Sequence, residues 1–130
     1  MKTIGIGVDI IDNKRIKSAI KKVNFVNRIF SKNEILISKN IKNKINFFSK
    51  RFAAKESFVK ALGTGFRDGL NFKDVQILND KKGKPFFLIN SKLKKLIIKK
   101  KNVKNFNLFL SISDEKKYSI AFTIIQENKW

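Results

Sequence analysis

A single α+β domain over residues 1–130 is the fold class this sequence predicts, and three observations point to it. Strand-like period-2 alternation marks Ile4-Gly-Ile-Gly-Val-Asp-Ile-Ile11, a long helix-forming stretch runs from about Lys44 to Leu62, and two alternating segments near the C-terminus read as an antiparallel hairpin. A chain of 130 residues and 15.1 kDa can bury one hydrophobic core. It holds no internal repeat and no linker long enough to divide it.

The first strand places Ile4, Ile6, Val8 and Ile10 on one face and Gly5, Gly7 and Asp9 on the other. Glycine inside a strand costs stability and marks the close approach of a ligand or another backbone, and aspartate is depleted in strands. A functional carboxylate in a roomy spot accounts for both oddities. The alternative is that Asp9 ends the strand and caps the next helix. Asn13 to about Phe30 then reads as one basic amphipathic helix with Ile16, Ile20, Val23 and Val26 or Asn27 on its apolar side. Ser31-Lys-Asn-Glu34 matches a capping box that opens a short helix through Ile37, and residues 40–43 form a polar connector.

The long helix ends at Leu62, with Gly63 suited to the left-handed residue that follows a helix. Short strands are expected at Val75–Leu78 and Phe86–Ile89, separated by a turn rich in Asp, Gly and Pro. Ser91 is a suitable cap for a lysine-rich helix ending near Lys101. Phe106–Ser113 and Tyr118–Gln126 complete the hairpin.

Within the long helix, Glu56 and Lys60 stand one turn apart and so project from one face, next to Phe52 and Val59. As a solvated pair they would contribute only about 0.2–0.5 kcal/mol. A second carboxylate, Asp9, makes a catalytic reading the sharper one. The chain has no cysteine and no histidine, which excludes thiol nucleophiles, Cys/His zinc sites, imidazole bases and Ser-His-Asp triads. Chemistry must come from its ten carboxylates, its lysines and arginines, its hydroxyls, or a hard oxygen-bound ion.

The formal charge of +20 favours polyanionic partners. Only four of the thirty basic residues are arginine, the preferred reader of phosphates and base edges. The rest are lysines spread over nearly every segment, and Lys, Ile, Asn and Phe share AT-rich codons. A lysine-rich nucleic-acid-binding module is the rival reading, resting on the charge and on Phe47-Phe-Ser-Lys-Arg-Phe52, provided those rings are exposed for stacking. It leaves Asp9 and the Glu56/Lys60 pairing unexplained. Asp9 interrupts the only apolar run near the N-terminus, so a cytoplasmic protein with no membrane segment is expected.

Gly5-x-Gly7 lacks the third glycine of a dinucleotide fingerprint, and Gly63-Thr-Gly65 lacks the Lys-Ser/Thr of a P-loop. The latter could still offer backbone amides to an anion. The ordered set is far more specific. Gly5-Ile-Gly-Val-Asp-Ile-Ile11 with Lys14-Arg-Ile16, then Arg51-Phe-Ala-Ala-Lys-Glu56 with Lys60-Ala-Leu-Gly-Thr-Gly65, Gly83-Lys-Pro85, and Leu110-Ser-Ile-Ser-Asp114 with Tyr118-Ser-Ile-Ala121, resembles the bacterial holo-acyl-carrier-protein synthases over essentially the whole chain. These form the small trimeric branch of the 4′-phosphopantetheinyl transferases.

The resemblance implies a long helix packed on an antiparallel sheet, a homotrimer, and active sites in clefts between subunits. It implies transfer of the phosphopantetheine arm of coenzyme A to a serine of apo-acyl carrier protein, with release of adenosine 3′,5′-bisphosphate, in support of fatty acid biosynthesis. Mg²⁺ would be held by Asp9 and Glu56, with Lys60 stabilising or protonating the leaving group. Gly63, Thr64, Gly65, Lys84, Pro85, Ser111, Ser113 and Asp114 would line the coenzyme cleft. Ser111 and Ser113 read equally well as ordinary outward strand hydroxyls. Arg15, Lys21, Lys22 and Arg28 are the expected docking residues for the acidic carrier protein, while neither nucleic acid nor membrane is expected as a partner.

Overall fold

The computed structural model describes residues 1–64 and 69–129. Its elements in chain order are β1 (Lys2–Asp12), α1 (Asn13–Ala19), α2 (Val23–Ile29), α3 (Lys32–Ser38), α4 (Lys44–Leu62), a 3-10 turn (Phe72–Asp74), β2 (Gln76–Asn79), β3 (Pro85–Leu88), α5 (Ser91–Lys101), β4 (Phe106–Asp114) and β5 (Tyr118–Glu127). β1, β5 and β4 form an antiparallel sheet in that spatial order, and β2 and β3 form a separate antiparallel pair. No helix among the described residues is long and apolar enough to cross a membrane.

α4 lies against the glycine face of β1, closer than side chains would permit. A Cβ on Gly5 would stand 2.3 Å from the Ala61 carbonyl oxygen. The expected roomy spot is therefore absent: helix backbone fills it. The opposite, isoleucine-bearing face of the strand is uncovered, with Ile6, Val8 and Ile10 at 60, 53 and 58 % exposure. Val8 pairs with Phe122 and Ile10 with Ile120, both also exposed, so the apolar surface continues across the sheet. The buried core instead lies on the α4 side, around Phe30, Phe58, Ala121 and Ile125. There Ser57 Oγ and Thr123 Oγ1 share a hydrogen bond of 2.6 Å between helix and sheet.

α4 spans the expected residues, and Gly63 closes it in the left-handed conformation (φ 85°) with its N–H on the Val59 carbonyl. The capping box of α3 is formed: Ser31 Oγ accepts from Glu34 N, and Glu34 Oε1 accepts from Ser31 N. The expected single helix from Asn13 to Phe30 is two helices. Lys22 is extended (φ −93°, ψ 114°), and this break leaves Val23 70 % exposed while Ile29 and Phe30 turn into the core. The cap of α5 is Asn90, whose Oδ1 accepts from Leu93 N, rather than Ser91.

Among the described residues, one ion pair is fully buried. Lys55 Nζ donates to Glu34 Oε1 (2.8 Å) and to the carbonyls of Phe72 (2.9 Å) and Val75 (2.6 Å), while Glu34 Oε2 accepts from Ile77 N (3.1 Å). Every proton of the ammonium is used, as a buried charge requires. The pair ties α3 and α4 to the segment that leads into β2.

Candidate active site

Asp9 sits mid-strand on the face of β1 turned toward α4, opposite Ala121. The cap of α1 is Asp12, whose Oδ1 accepts from Lys14 N, which removes the alternative role considered for Asp9. α4 brings up Lys60, and its Nζ donates to Asp9 Oδ1 (3.1 Å) and to the Val8 carbonyl (3.0 Å). Lys60 is thus ion-paired to the strand carboxylate rather than to Glu56, its neighbour one turn back. Asp9 is largely covered, whereas Lys60 is open to solvent.

Glu56 is half-buried, and among the described residues nothing hydrogen-bonds its carboxylate. Its pKa is raised, first by desolvation and second by the charge of Asp9; Lys60 offsets this in part. Two repelling carboxylates, one from a strand and one from a helix, therefore lie near one ammonium, which is bonded to Asp9 and not to Glu56. Such a site has spare negative charge and hard oxygen donors. No group of three or more His, Cys, Asp or Glu converges among the described residues. A site with two carboxylates suits Mg²⁺, which keeps several waters and takes substrate phosphate oxygens instead of a full protein cage. The residues present fit such an ion.

Gly63 and Thr64 follow Lys60 at the end of α4, where Gly63 is exposed and Thr64 partly so. Gly65 lies outside the described residues. The other expected cleft residues are elsewhere. Lys84, Pro85 and Ser111 line a groove of about 520 Å³ between β3 and β4, with Phe86, Phe109 and Phe122. Ser111 pairs with Phe122, which pairs with Val8, so Ser111 and, two residues on, Ser113 lie on the uncovered face of the sheet. Asp9 pairs with Ala121, which pairs with Ile112, on the other face. The sheet itself separates the two groups within one protomer. Residues 111–114 belong to β4, which runs one residue beyond the strand expected over Phe106–Ser113.

Asp114 is engaged structurally: its Oδ2 accepts from Asn46 Nδ2 in the first turn of α4. Arg15, Lys21, Lys22 and Arg28 are all exposed on α1, α2 and the turn between them. Phe47 and Phe48 are buried, and Phe52 packs against Phe25 and Phe72, so the aromatic run that a nucleic-acid module would need for stacking is committed to the interior.

No motif marks the Glu34/Lys55 pairing or the long-range contacts of Asn13 and Asn46. A signal existed for Lys55 alone: it lies four residues after Arg51 and three before Phe58, on the side of α4 that the apolar residues claim for the interior.

Comparison with known proteins places this geometry. A profile of the 4′-phosphopantetheinyl transferase superfamily matches residues 5–123. The chain is 58 % identical over 127 residues to the holo-[acyl-carrier-protein] synthase of Pelagibacter ubique (strain HTCC1062), covering 98 % of this chain and 99 % of that one. Its fold superposes on the crystal structure of the holo-[acyl-carrier-protein] synthase from Neisseria meningitidis with a TM-score of 0.86 at 36 % identity, over 96 % of this chain and 99 % of that one. For the holo-(acyl-carrier-protein) synthase from Bacillus anthracis str. Ames, solved in complex with CoA (3′,5′-ADP), the TM-score is 0.81 at 31 % identity, over 98 % of this chain and 100 % of that one.

Proposed function

This chain belongs to the 4′-phosphopantetheinyl transferase superfamily, and we propose that it transfers the 4′-phosphopantetheine group of coenzyme A to a serine hydroxyl of apo-acyl carrier protein, releasing adenosine 3′,5′-bisphosphate. The observation that carries this reading is the meeting of Asp9 and Glu56 from two elements, with Lys60 reaching back to Asp9. The relatives named above bear the same activity in their names, and one of them binds the coenzyme.

In the reaction the serine oxygen forms a new bond to the phosphorus that carries the pantetheine arm. The bond from that phosphorus to the bridging oxygen breaks, and the electron pair leaves with the nucleotide. Asp9 and Glu56 would hold Mg²⁺, which when bound neutralises charge on the diphosphate. Lys60 supplies a mobile ammonium at the edge of the site, able to donate to the departing phosphate oxygen. The serine proton must pass to a base, either a carboxylate of the site or a bound water that a carboxylate deprotonates. Gly63 and Thr64 follow Lys60 at the end of α4, where they would line the coenzyme cleft beside the phosphates.

The division of the expected cleft residues by the sheet supports a homotrimer. Lys84, Pro85 and Ser111 of one copy complete the site only if they face Asp9 and Glu56 of a neighbour. The uncovered apolar face made by Ile6, Val8, Ile10, Ile120 and Phe122 is the surface such an assembly would bury. The deciding experiment is mass spectrometry of apo-acyl carrier protein after incubation with the purified chain, coenzyme A and Mg²⁺. An unmodified carrier would refute the reading.

A further inference from the structure

Outside the catalytic group, Asn13 is hydrogen-bonded at each of its side-chain polar atoms. Asn13, the first residue of α1, is buried. Its Nδ2 donates to the carbonyls of Glu115 (3.0 Å) and Lys116 (3.2 Å), and its Oδ1 accepts from Ser119 Oγ (2.9 Å). Its backbone N–H donates to the Lys117 carbonyl (2.8 Å). Thus the whole β4–β5 connection, residues 115–117, is fixed to the start of α1 through a single residue. A loop serving only to reverse the chain needs no such anchor, because the Glu115 N–H already closes the turn on the Tyr118 carbonyl.

The anchored loop forms a charged concavity of about 380 Å³ lined by Asp12, Lys14, Lys116, Lys117 and Tyr118. Three ammonium groups face one carboxylate, and that carboxylate is engaged in capping α1. Glu115 is exposed on the loop but does not line the concavity. Lys14 also lines the next concavity along α1, with Arg15 and Lys22, and Lys22 lines the one after it, with Phe25 and Arg28. A continuous basic track therefore runs from the hairpin tip along α1 to α2.

We propose that Lys116 and Lys117, together with Lys14, form the far end of the surface that docks an acidic carrier protein, and that Asn13 is the positioning residue that holds them in line with α1. The inference rests on the carrier-protein reading above and extends it to the β4–β5 loop. Carboxylates spread over the surface of an acidic protein match a track of this length better than a single phosphate would. Fixing the loop backbone in advance removes the cost of ordering the loop on binding.

The test compares wild type, Lys116→Glu/Lys117→Glu and Asn13→Ala by direct binding of apo-acyl carrier protein, measured by fluorescence anisotropy, and by steady-state KM for carrier and for coenzyme A. The double reversal should weaken carrier binding roughly tenfold at low salt, less at moderate salt, and leave the KM for coenzyme A unaltered. Asn13→Ala should shift the carrier constants in the same direction, whereas a purely structural role would lower stability without changing the ratio of carrier to coenzyme constants. Lys116 and Lys117 are exposed, so their variant remains decisive if Asn13→Ala does not fold. Unaltered carrier affinity in the double reversal overturns the inference, as does a wild type that does not bind the carrier. A wild type that binds the carrier but does not modify it refutes the transfer reading and leaves the docking track standing.

Discussion

A methyl group on Gly7 would lie 1.9 Å from the carbonyl oxygen of Ser57 and 2.6 Å from the amide nitrogen of Ala61. This contact lets α4 settle onto β1, and that seating brings Glu56 and Lys60 to Asp9. Both atoms are backbone, so no side chain can swing aside. Gly7→Ala should destabilise the fold by at least about 1–3 kcal/mol and lower activity even where the variant is fully folded. Gly69→Ala is the control: no atom lies within 4 Å of its added Cβ, and only the left-handed backbone at φ 81° is strained. It should cost about 1–2 kcal/mol. Urea titrations of both variants, with activity measured below their transitions, separate the two effects.

Replacing Asp9 by Asn or Glu56 by Gln keeps shape and removes charge. Each should abolish the rise in melting temperature on adding Mg²⁺ and lower the transfer rate by well over tenfold, or more than 1.4 kcal/mol in the barrier. Activity within tenfold of wild type would sink the metal assignment. The metal-free proteins carry a second signature. The folded-state pKa of Glu56 is raised, so its stability contribution is fully present below the ordinary carboxylate pKa and is lost as pH rises through the raised value. Metal-free Glu56→Gln should accordingly be more stable than wild type near neutral pH, with the difference fading on acidification.

The Glu34/Lys55 pair should behave as a unit. Lys55→Met strands a buried carboxylate and Glu34→Leu strands a buried ammonium, each costing about 3–5 kcal/mol. The double variant Glu34→Leu/Lys55→Met should lose far less than the sum, since neither charge is left alone. Some loss must remain, because the carbonyls of Phe72 and Val75 and the Ile77 N–H lose their partners. A double-mutant cycle by chemical denaturation gives the coupling, and additive losses would contradict the assignment.

Phe122 stands on the uncovered face of the sheet, away from the core. Phe122→Asp should leave a folded monomer by sedimentation velocity and abolish transfer, while wild type sediments as a trimer. A fully active monomer would contradict the shared-site proposal.

Local signals were the legible ones. The span of α4, the glycine after it and the capping box of α3 depend on contacts within a few residues, and all three stand as read. The division between α1 and α2 was hidden because the apolar period continues through Ile20 and Val23, and no Gly or Pro marks the turn. For β1 the strand glycines signalled a close approach, and whether a ligand or another backbone makes it depends on where α4 packs in the folded chain. At the site, spacing along α4 suggested that Lys60 pairs with Glu56. Asp9, fifty-one residues away in the chain, takes the ammonium instead. The placement of Ser111 on the far side of the sheet from Asp9 follows from strand parity together with register, and register is a property of the folded sheet.

The separation of Asp9 and Glu56 from Lys84 and Ser111 by the thickness of a sheet has a genetic consequence. If each cleft draws one half from each of two neighbours, a chain inactivated at Glu56 and a chain inactivated at Lys84 are complementary defects. Either alone yields only dead assemblies. Co-expressed, they would form mixed assemblies in which some junctions bring an intact Glu56 against an intact Lys84. Two loss-of-function alleles of one gene would then rescue each other, as alleles of a protein whose site is built within a single copy cannot.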